Sequence, residues 1–150
     1  MEEYSMKTIK EILEKKGSEI ISVGVADTLA GAILKLTQHK IGAVLVLDDN
    51  KKIKGILSER DIIRHFAGRI NIDTTISVTE VMTKEVTYVK PDQNPDACMQ
   101  LMTSGRFRHL PVVDNEELVG LVSIGDIVKA LMTDKELKIG ELEYFISNTY

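Results

Sequence analysis

The sequence is short of the residues that most chemistry is built on, with one cysteine and three histidines in 150 residues. Cys98 has no partner for an internal disulfide, and its place in a helical pattern marks it as a small core residue rather than a nucleophile. The cysteine and histidines show no metal-ligand spacing, so no zinc site is indicated. A Walker-type phosphate loop and a G-x-G-x-x-G turn are both missing, so a phosphate would have to be held by basic side chains and helix starts. No nucleophile–base pair can be assembled from neighbouring motifs, which leaves an enzyme as the least supported reading. Positive charge is not in excess either. A net charge of −4 argues against general binding of nucleic acid or an anionic membrane. No apolar run approaches membrane-spanning length and residues 1–6 have no signal pattern, so the cytoplasm is the expected location.

What is present is a block of ten residues spelled twice. The chain reads Gly55-Ile-Leu-Ser58-Glu-Arg60-Asp61-Ile-Ile-Arg64 and, 65 positions later, Gly120-Leu-Val-Ser123-Ile-Gly125-Asp126-Ile-Val-Lys129. Each copy runs from an apolar strand end into a helix start, with serine at the cap and aspartate three residues on. That spacing satisfies orphan N–H groups at a helix N-terminus, and the positive end of the helix dipole there suits an anion. Taken alone, Asp61 and Asp126 read as caps more readily than as ligand-binding groups. A carboxylate has about four acceptor positions, so one residue can do both.

An apolar content of 43% and a charged content of 28% describe a soluble chain with a real core. Ile9, Ile12 and Leu13 predict a helix over residues 6–16 that Gly17 stops. A short strand at 20–23 follows, then a helix capped by Asp27 or Thr28 and ending near His39. The apolar run 43–47 predicts a strand covered on both faces. Asp48-Asp49-Asn50 makes a turn into a return strand over 52–57, and a helix starts at Glu59. Residues 68–77 read as a linker, after which the order restarts. Val78, Val81 and Met82 give a short helix, 86–89 a strand, and Pro91-Asp-Gln-Asn the lead into a helix. Residues 110–113 form the covered strand and 118–122 the return strand, with Pro111 placing a sheet edge nearby. The offset between copies is 66 before the turn and 65 after it, so the second turn is one residue shorter. Residues 133–150 carry Leu137, Leu142, Phe145 and Ile146 on roughly one side, as an amphipathic helix closing the core would.

The paired G-h-h-S-x-x-D-h-h-[RK] blocks, each behind a covered strand in β-α-β-β-α order, resemble the CBS-domain pair, or Bateman module. Met82-Thr83 and the stretch from Gly105 to Asp114 are similar to small stand-alone bacterial members. The resemblance covers residues 6–132. It implies an α+β fold of tandem β-α-β-β-α repeats (6–67 and 78–132) packed with pseudo-two-fold symmetry. It also implies a non-catalytic sensor in signal transduction or energy sensing that binds adenosyl ligands such as AMP, ATP or NAD(H). A homodimer and an unidentified protein partner are expected as well. By the same resemblance Asp61 and Asp126 bond ribose hydroxyls, with Ser58, Ser123, Ile56 and Leu121 beside them. Ile20 and Ile21 would flank the Asp126 cleft, and Thr83, Val86 and Thr87 the Asp61 cleft. Residues before each covered strand would reach phosphate: Arg106, Arg108 and His109 in the second copy, only Lys40, Gly42 and Ala43 in the first; Ile41, Gly125 and Phe107 would also belong to the ligand clefts.

Apart from the resemblance, an extended Arg106-Phe107-Arg108 would put both arginines on one side, as a phosphate grip needs. Arg60 facing Gly125 breaks the symmetry: the arginine can reach a phosphate or repel a cation, whereas the glycine leaves room. The rival expectation is a structural module with empty clefts, in which serine and aspartate only cap helices.

Overall fold

The computed structural model describes residues 8–17 and 19–132; the expected tail helix lies outside them. The described chain is mixed α+β in the order α1 (Ile9–Lys16), β1 (Ser22–Gly24), α2 (Leu29–His39), β2 (Ala43–Leu47), β3 (Ile53–Ser58) and α3 (Glu59–Phe66). A single 3₁₀ turn (Val78–Glu80), α4 (Pro95–Gly105), β4 (His109–Asp114), β5 (Glu117–Ser123) and α5 (Ile124–Leu131) complete it. Among the described residues no helix is long and apolar enough to cross a membrane.

Local chemistry accounts for the helix ends. Thr8 and Glu11 form a reciprocal capping box at α1, and Gly17, at φ +97°, stops it. Thr28, not Asp27, caps α2; Asp27 instead accepts the Gly24 N–H at 2.7 Å and closes the turn before the helix. Both α2 and α4 end on a cation in left-handed conformation, Lys40 (φ +54°) and Arg106 (φ +59°).

The contacts divide the chain into two compact units that do not follow the order of the repeats. One contains residues 8–17, 88–114 and 119–132; the other contains 19–87 and 115–118. In the first unit Ile9, Ile12 and Leu13 of α1 pack with Val89, Cys98, Met102, Leu110, Val112, Val122 and Ile127. In the second, Val78 and Val81 of the 3₁₀ turn pack with Val23, Leu29, Ala32, Leu36, Val44, Val46 and Leu57. Each core is thus built on one repeat's sheet and the other repeat's short helix.

The sheets differ. In the second unit β1, β2 and β3 form a three-stranded sheet in which Val23 pairs with Val46 in parallel. The expected strand over 86–89 is replaced by a single parallel bridge, Val89 to Val112, beside the two-stranded β4–β5 sheet. Pro111 explains the correction. Its carbonyl accepts the Val89 N–H at 2.9 Å and the Val113 N–H donates to the Val89 carbonyl at 2.9 Å, but the next rung back along the ladder needs the N–H that proline lacks. The one-residue change of offset has an equally local cause. Asn115 and Glu116, both at positive φ, make a two-residue hairpin turn, whereas Asp49, Asn50 and Lys51 make a three-residue one, closed by the Asp48 N–H on the Lys52 carbonyl, with only Lys51 left-handed.

The glycine that opens each block is fixed by close approach. A Cβ at Gly55 would lie 2.5 Å from the Met82 sulfur and 2.8 Å from the Thr83 carbonyl oxygen. At Gly120 it would lie 2.7 Å from both terminal carbons of Leu13. Leu13 and Met82 therefore lie directly on the two return strands, and this brings the residues just after them to the serine–aspartate elbows.

Candidate functional site

Each elbow is a strand end turning into a helix start, and the block sequence forms it in the same way twice. The Asp61 N–H donates to Ser58 Oγ at 3.2 Å, and Asp61 Oδ2 accepts the Ser58 N–H at 2.9 Å and its hydroxyl at 3.0 Å. The Asp126 N–H donates to Ser123 Oγ at 3.2 Å, and Asp126 Oδ2 accepts the Ser123 N–H at 2.8 Å. Residues just before β2 and β4 fasten the helix starts through their carbonyls: Gly42 accepts the Glu59 N–H at 3.0 Å, and Arg108 the Ile124 N–H at 2.8 Å. Both aspartates are caps, whatever else they do.

The remaining carboxylate capacity is used differently. At the first elbow Thr83 pairs with Ile56 through two backbone bonds of 2.9 Å, and its hydroxyl donates to Asp61 Oδ1 at 2.8 Å. Arg64 Nη1 lies 3.3 Å from the same oxygen, so both oxygens are engaged and the Asp61 side chain is only 6% exposed. At the second elbow Lys16, the last residue of α1, donates to the Leu121 carbonyl at 3.0 Å and to Asp126 Oδ2 at 2.7 Å. Among the described residues nothing donates to Asp126 Oδ1, and that side chain is 19% exposed.

Electrostatics favour an ionised Asp126. Burial pushes its carboxyl pKa up, but the hydrogen bonds from Lys16 and Ser123 and the Lys16 charge outweigh this and hold it below its usual value. The neighbouring His109 is shifted down, because burial and the charges of Lys16 and Arg108 oppose protonation more than Asp126 assists it. Around the His109 imidazole there are then one carboxylate, Asp126, and two cations, Lys16 and Arg108, and only Lys16 is paired with that carboxylate.

Several expected residues are placed differently. Arg106 takes the left-handed position that ends α4, so Arg106, Phe107 and Arg108 are not an extended run and the argument that puts both arginines on one side fails. Phe107 packs against the core. Arg60 is exposed, with no ion pair among the described residues; Arg64, one turn on, is the arginine that reaches Asp61. A Cβ at Gly125 would meet only Ser123 Oγ, at an ordinary 3.6 Å. Thr83, Val86, Thr87, Ile41 and Gly42 share a unit with Asp61, as do Ile20 and Ile21. Ile20 lines a cavity of about 430 Å³ at the hairpin ends, with Ser22, Leu47, Lys51, Lys52 and Glu116.

Lys16 and Arg64 are the residues contacting the two aspartates that sequence reasoning missed. Arg64 had a signal, three residues beyond Asp61 on one helix face. Lys16 had none, since a lysine at the last turn of a helix reads as a solvated cation favoured by the dipole.

Comparison with known proteins places this geometry among relatives. The family model described as CBS domain matches residues 8–68 and again 78–133. A mitochondrial CBS domain-containing protein of Arabidopsis thaliana is 31% identical, over 98% of this chain and 75% of its own. The crystal structure of a CBS-domain-containing protein from Agrobacterium tumefaciens matches with a TM-score of 0.80 and 40% identity, covering 84% of this chain and 100% of the other. A CBS domain pair solved in complex with 5-methylthioadenosine and S-adenosyl-L-methionine matches with a TM-score of 0.73 and 25% identity, over 83% of this chain and 95% of the other.

Proposed function

Because the chain belongs to the CBS-domain family, we propose that it is a non-catalytic regulatory module that binds an adenosyl ligand of the AMP, ATP or NAD(H) class at the second elbow. The observation that carries this reading is the open Oδ1 of an ionised, partly exposed Asp126 at a helix start. A ribose hydroxyl can donate to that oxygen while Oδ2 goes on capping α5. The related pair bound to two adenosyl compounds supports the nucleoside part, and the exposed Arg108 next to the elbow supports a phosphate on it. Occupancy would act by favouring one of two arrangements of the chain or its assembly.

At the first elbow a specific observation favours the other reading, a structural one. Both oxygens of the buried Asp61 are already engaged, so this copy serves as a cap and a lock. Calorimetry with adenosine and AMP tests both points. The expected result is one site per chain, with AMP bound at least about tenfold more tightly than adenosine through charge-assisted bonds, and a smaller preference in Arg108→Ala. Equal affinities would remove the phosphate, two equal sites would remove the asymmetry, and no binding of either would sink the nucleotide reading. The proposal includes a homodimer, supported by the exposed Leu34 and Ile63 on α2 and α3; a monomer mass by light scattering would count against it.

A further inference from the structure

The geometry points to Lys16 as the residue that selects the ligand at the second elbow: its ammonium favours adenosyl ligands with a hydrogen-bond acceptor or negative charge near the ribose and disfavours cationic ones. This rests on the adenosyl reading above and goes beyond it, because it assigns the choice of ligand to a side chain outside the repeated block.

Lys16 does alone what Thr83 does at the other elbow. There a backbone N–H meets the Ile56 carbonyl and a hydroxyl meets Asp61. Here one nitrogen meets the equivalent Leu121 carbonyl at 3.0 Å and Asp126 at 2.7 Å. The positions match, but the charge does not: a neutral threonine is replaced by a cation. An ammonium has three N–H donors, and two have partners in the described structure. With the Lys16 side chain 36% exposed, the third is left for solvent or ligand. Its neighbour across the ion pair is the open Oδ1. The elbow therefore offers an acceptor and a donor side by side, which suits two adjacent hydroxyls, one donating to Oδ1 and the other accepting from Nζ.

Charge sharpens the selection. With His109 neutral, Lys16 and Arg108 outnumber Asp126 and leave a local positive surplus in a chain of net charge −4. A phosphate entering there is attracted and a sulfonium repelled, and a single charge at this range changes relative affinity by about tenfold.

The test is calorimetry with three probes, AMP (anionic), 5-methylthioadenosine (neutral) and S-adenosyl-L-methionine (cationic), on wild type, Lys16→Met and Lys16→Arg. Wild type should rank them in that order. Lys16→Met should cut the AMP to S-adenosyl-L-methionine affinity ratio about tenfold, and Lys16→Arg should keep it. Should Lys16→Met fail to fold, the salt dependence of the wild-type ratio still decides, since a charge-based preference narrows as ionic strength rises. A ratio unchanged in Lys16→Met, or unchanged by salt, overturns the role of Lys16 while leaving adenosyl binding intact. If wild type binds none of the three, the adenosyl reading falls and the inference with it.

Discussion

At the first elbow the chain closes on Asp61 with a stretch of backbone, as Thr83 pairs with Ile56 on both sides and adds its hydroxyl. At the second it closes on Asp126 with one flexible side chain, Lys16, whose nitrogen reaches the matching carbonyl and carboxylate. The two blocks share the glycine, serine and aspartate that build the elbow, so apart from Arg64 their difference comes from what is laid on them by segments far along the chain. The Thr83–Ile56 backbone bridge has no rotamers to exchange, and it holds the short Thr83 side chain, with a single χ1, against Asp61. A lysine can swing away on its four-carbon stem, and a surface-accessible pair of this kind contributes little to stability. The same motif is thus locked in one copy and openable in the other. Copies of a binding motif have to be judged by what occupies their acceptors, not by how well they match each other.

The comparison predicts unequal costs for equal substitutions, and the largest gap is at the block glycines. In Gly55→Ala the new methyl meets the Thr83 carbonyl, a backbone atom, as well as Met82. In Gly120→Ala the nearest atoms it meets all belong to the end of the Leu13 side chain. The expected destabilisation is about 3 kcal/mol at Gly55 and about 1 kcal/mol at Gly120, read from urea unfolding midpoints. Equal losses would mean that the first elbow is no stiffer than the second.

The aspartates come next. Asp61→Ala leaves the Ser58 N–H and hydroxyl, the Thr83 hydroxyl and Arg64 without their acceptor in a buried place, and should cost about 2 kcal/mol. Asp126→Ala removes a cap and an accessible ion pair, and should cost about 1 kcal/mol. Reading the sequence alone, one expects Asp126→Ala to leave the free protein almost unchanged, because an open cleft has no partners to strand; the Ser123 and Lys16 bonds correct that. Thermal unfolding of both variants with and without AMP separates the roles. Only Asp126→Ala should lose the ligand-induced rise in midpoint, and a loss in Asp61→Ala instead would move the site to the first elbow.

Much of this was legible in advance, for a physical reason. Helix starts, caps and covered strands depend on neighbours in sequence, so the blocks, the stop at Gly17, the start at Asp27 or Thr28 and the shorter second turn could all be read from spacing. Pro111 announced a sheet edge, though not that it would reduce the 86–89 strand to one bridge. The alternation of Arg106 and Arg108 misled, because it assumed extended backbone where a left-handed residue ends the preceding helix. The inequality of the elbows could not be read. It depends on a contact between residues 16 and 126, set by which side of the chain α1 packs on, and no local pattern encodes that.

The smallest expected effect concerns His109, whose place in the first copy is taken by Ala43. Half-buried beside Lys16 and Arg108, with Asp126 the one opposing charge, the imidazole is held below its ordinary pKa of 6.5. The unfolded chain then binds a proton more readily than the folded one, so the His109 contribution is fully present above about pH 6.5 and is lost as pH falls toward the folded pKa. Asp126 also has a lowered pKa, but its window is separate: its contribution is present above 3.8 and is lost only as pH falls below that value. Between pH 7 and 5, wild type should therefore lose stability with a slope that His109→Gln reduces, while Asp126→Asn, which removes the one charge assisting His109 protonation, steepens that slope slightly and flattens the loss below pH 4. Urea unfolding at half-unit pH steps measures both. A His109→Gln variant with the wild-type slope between pH 7 and 5 would show that burial and the two cations together do not outweigh Asp126 at the imidazole, and would weaken the case for a positive surplus there.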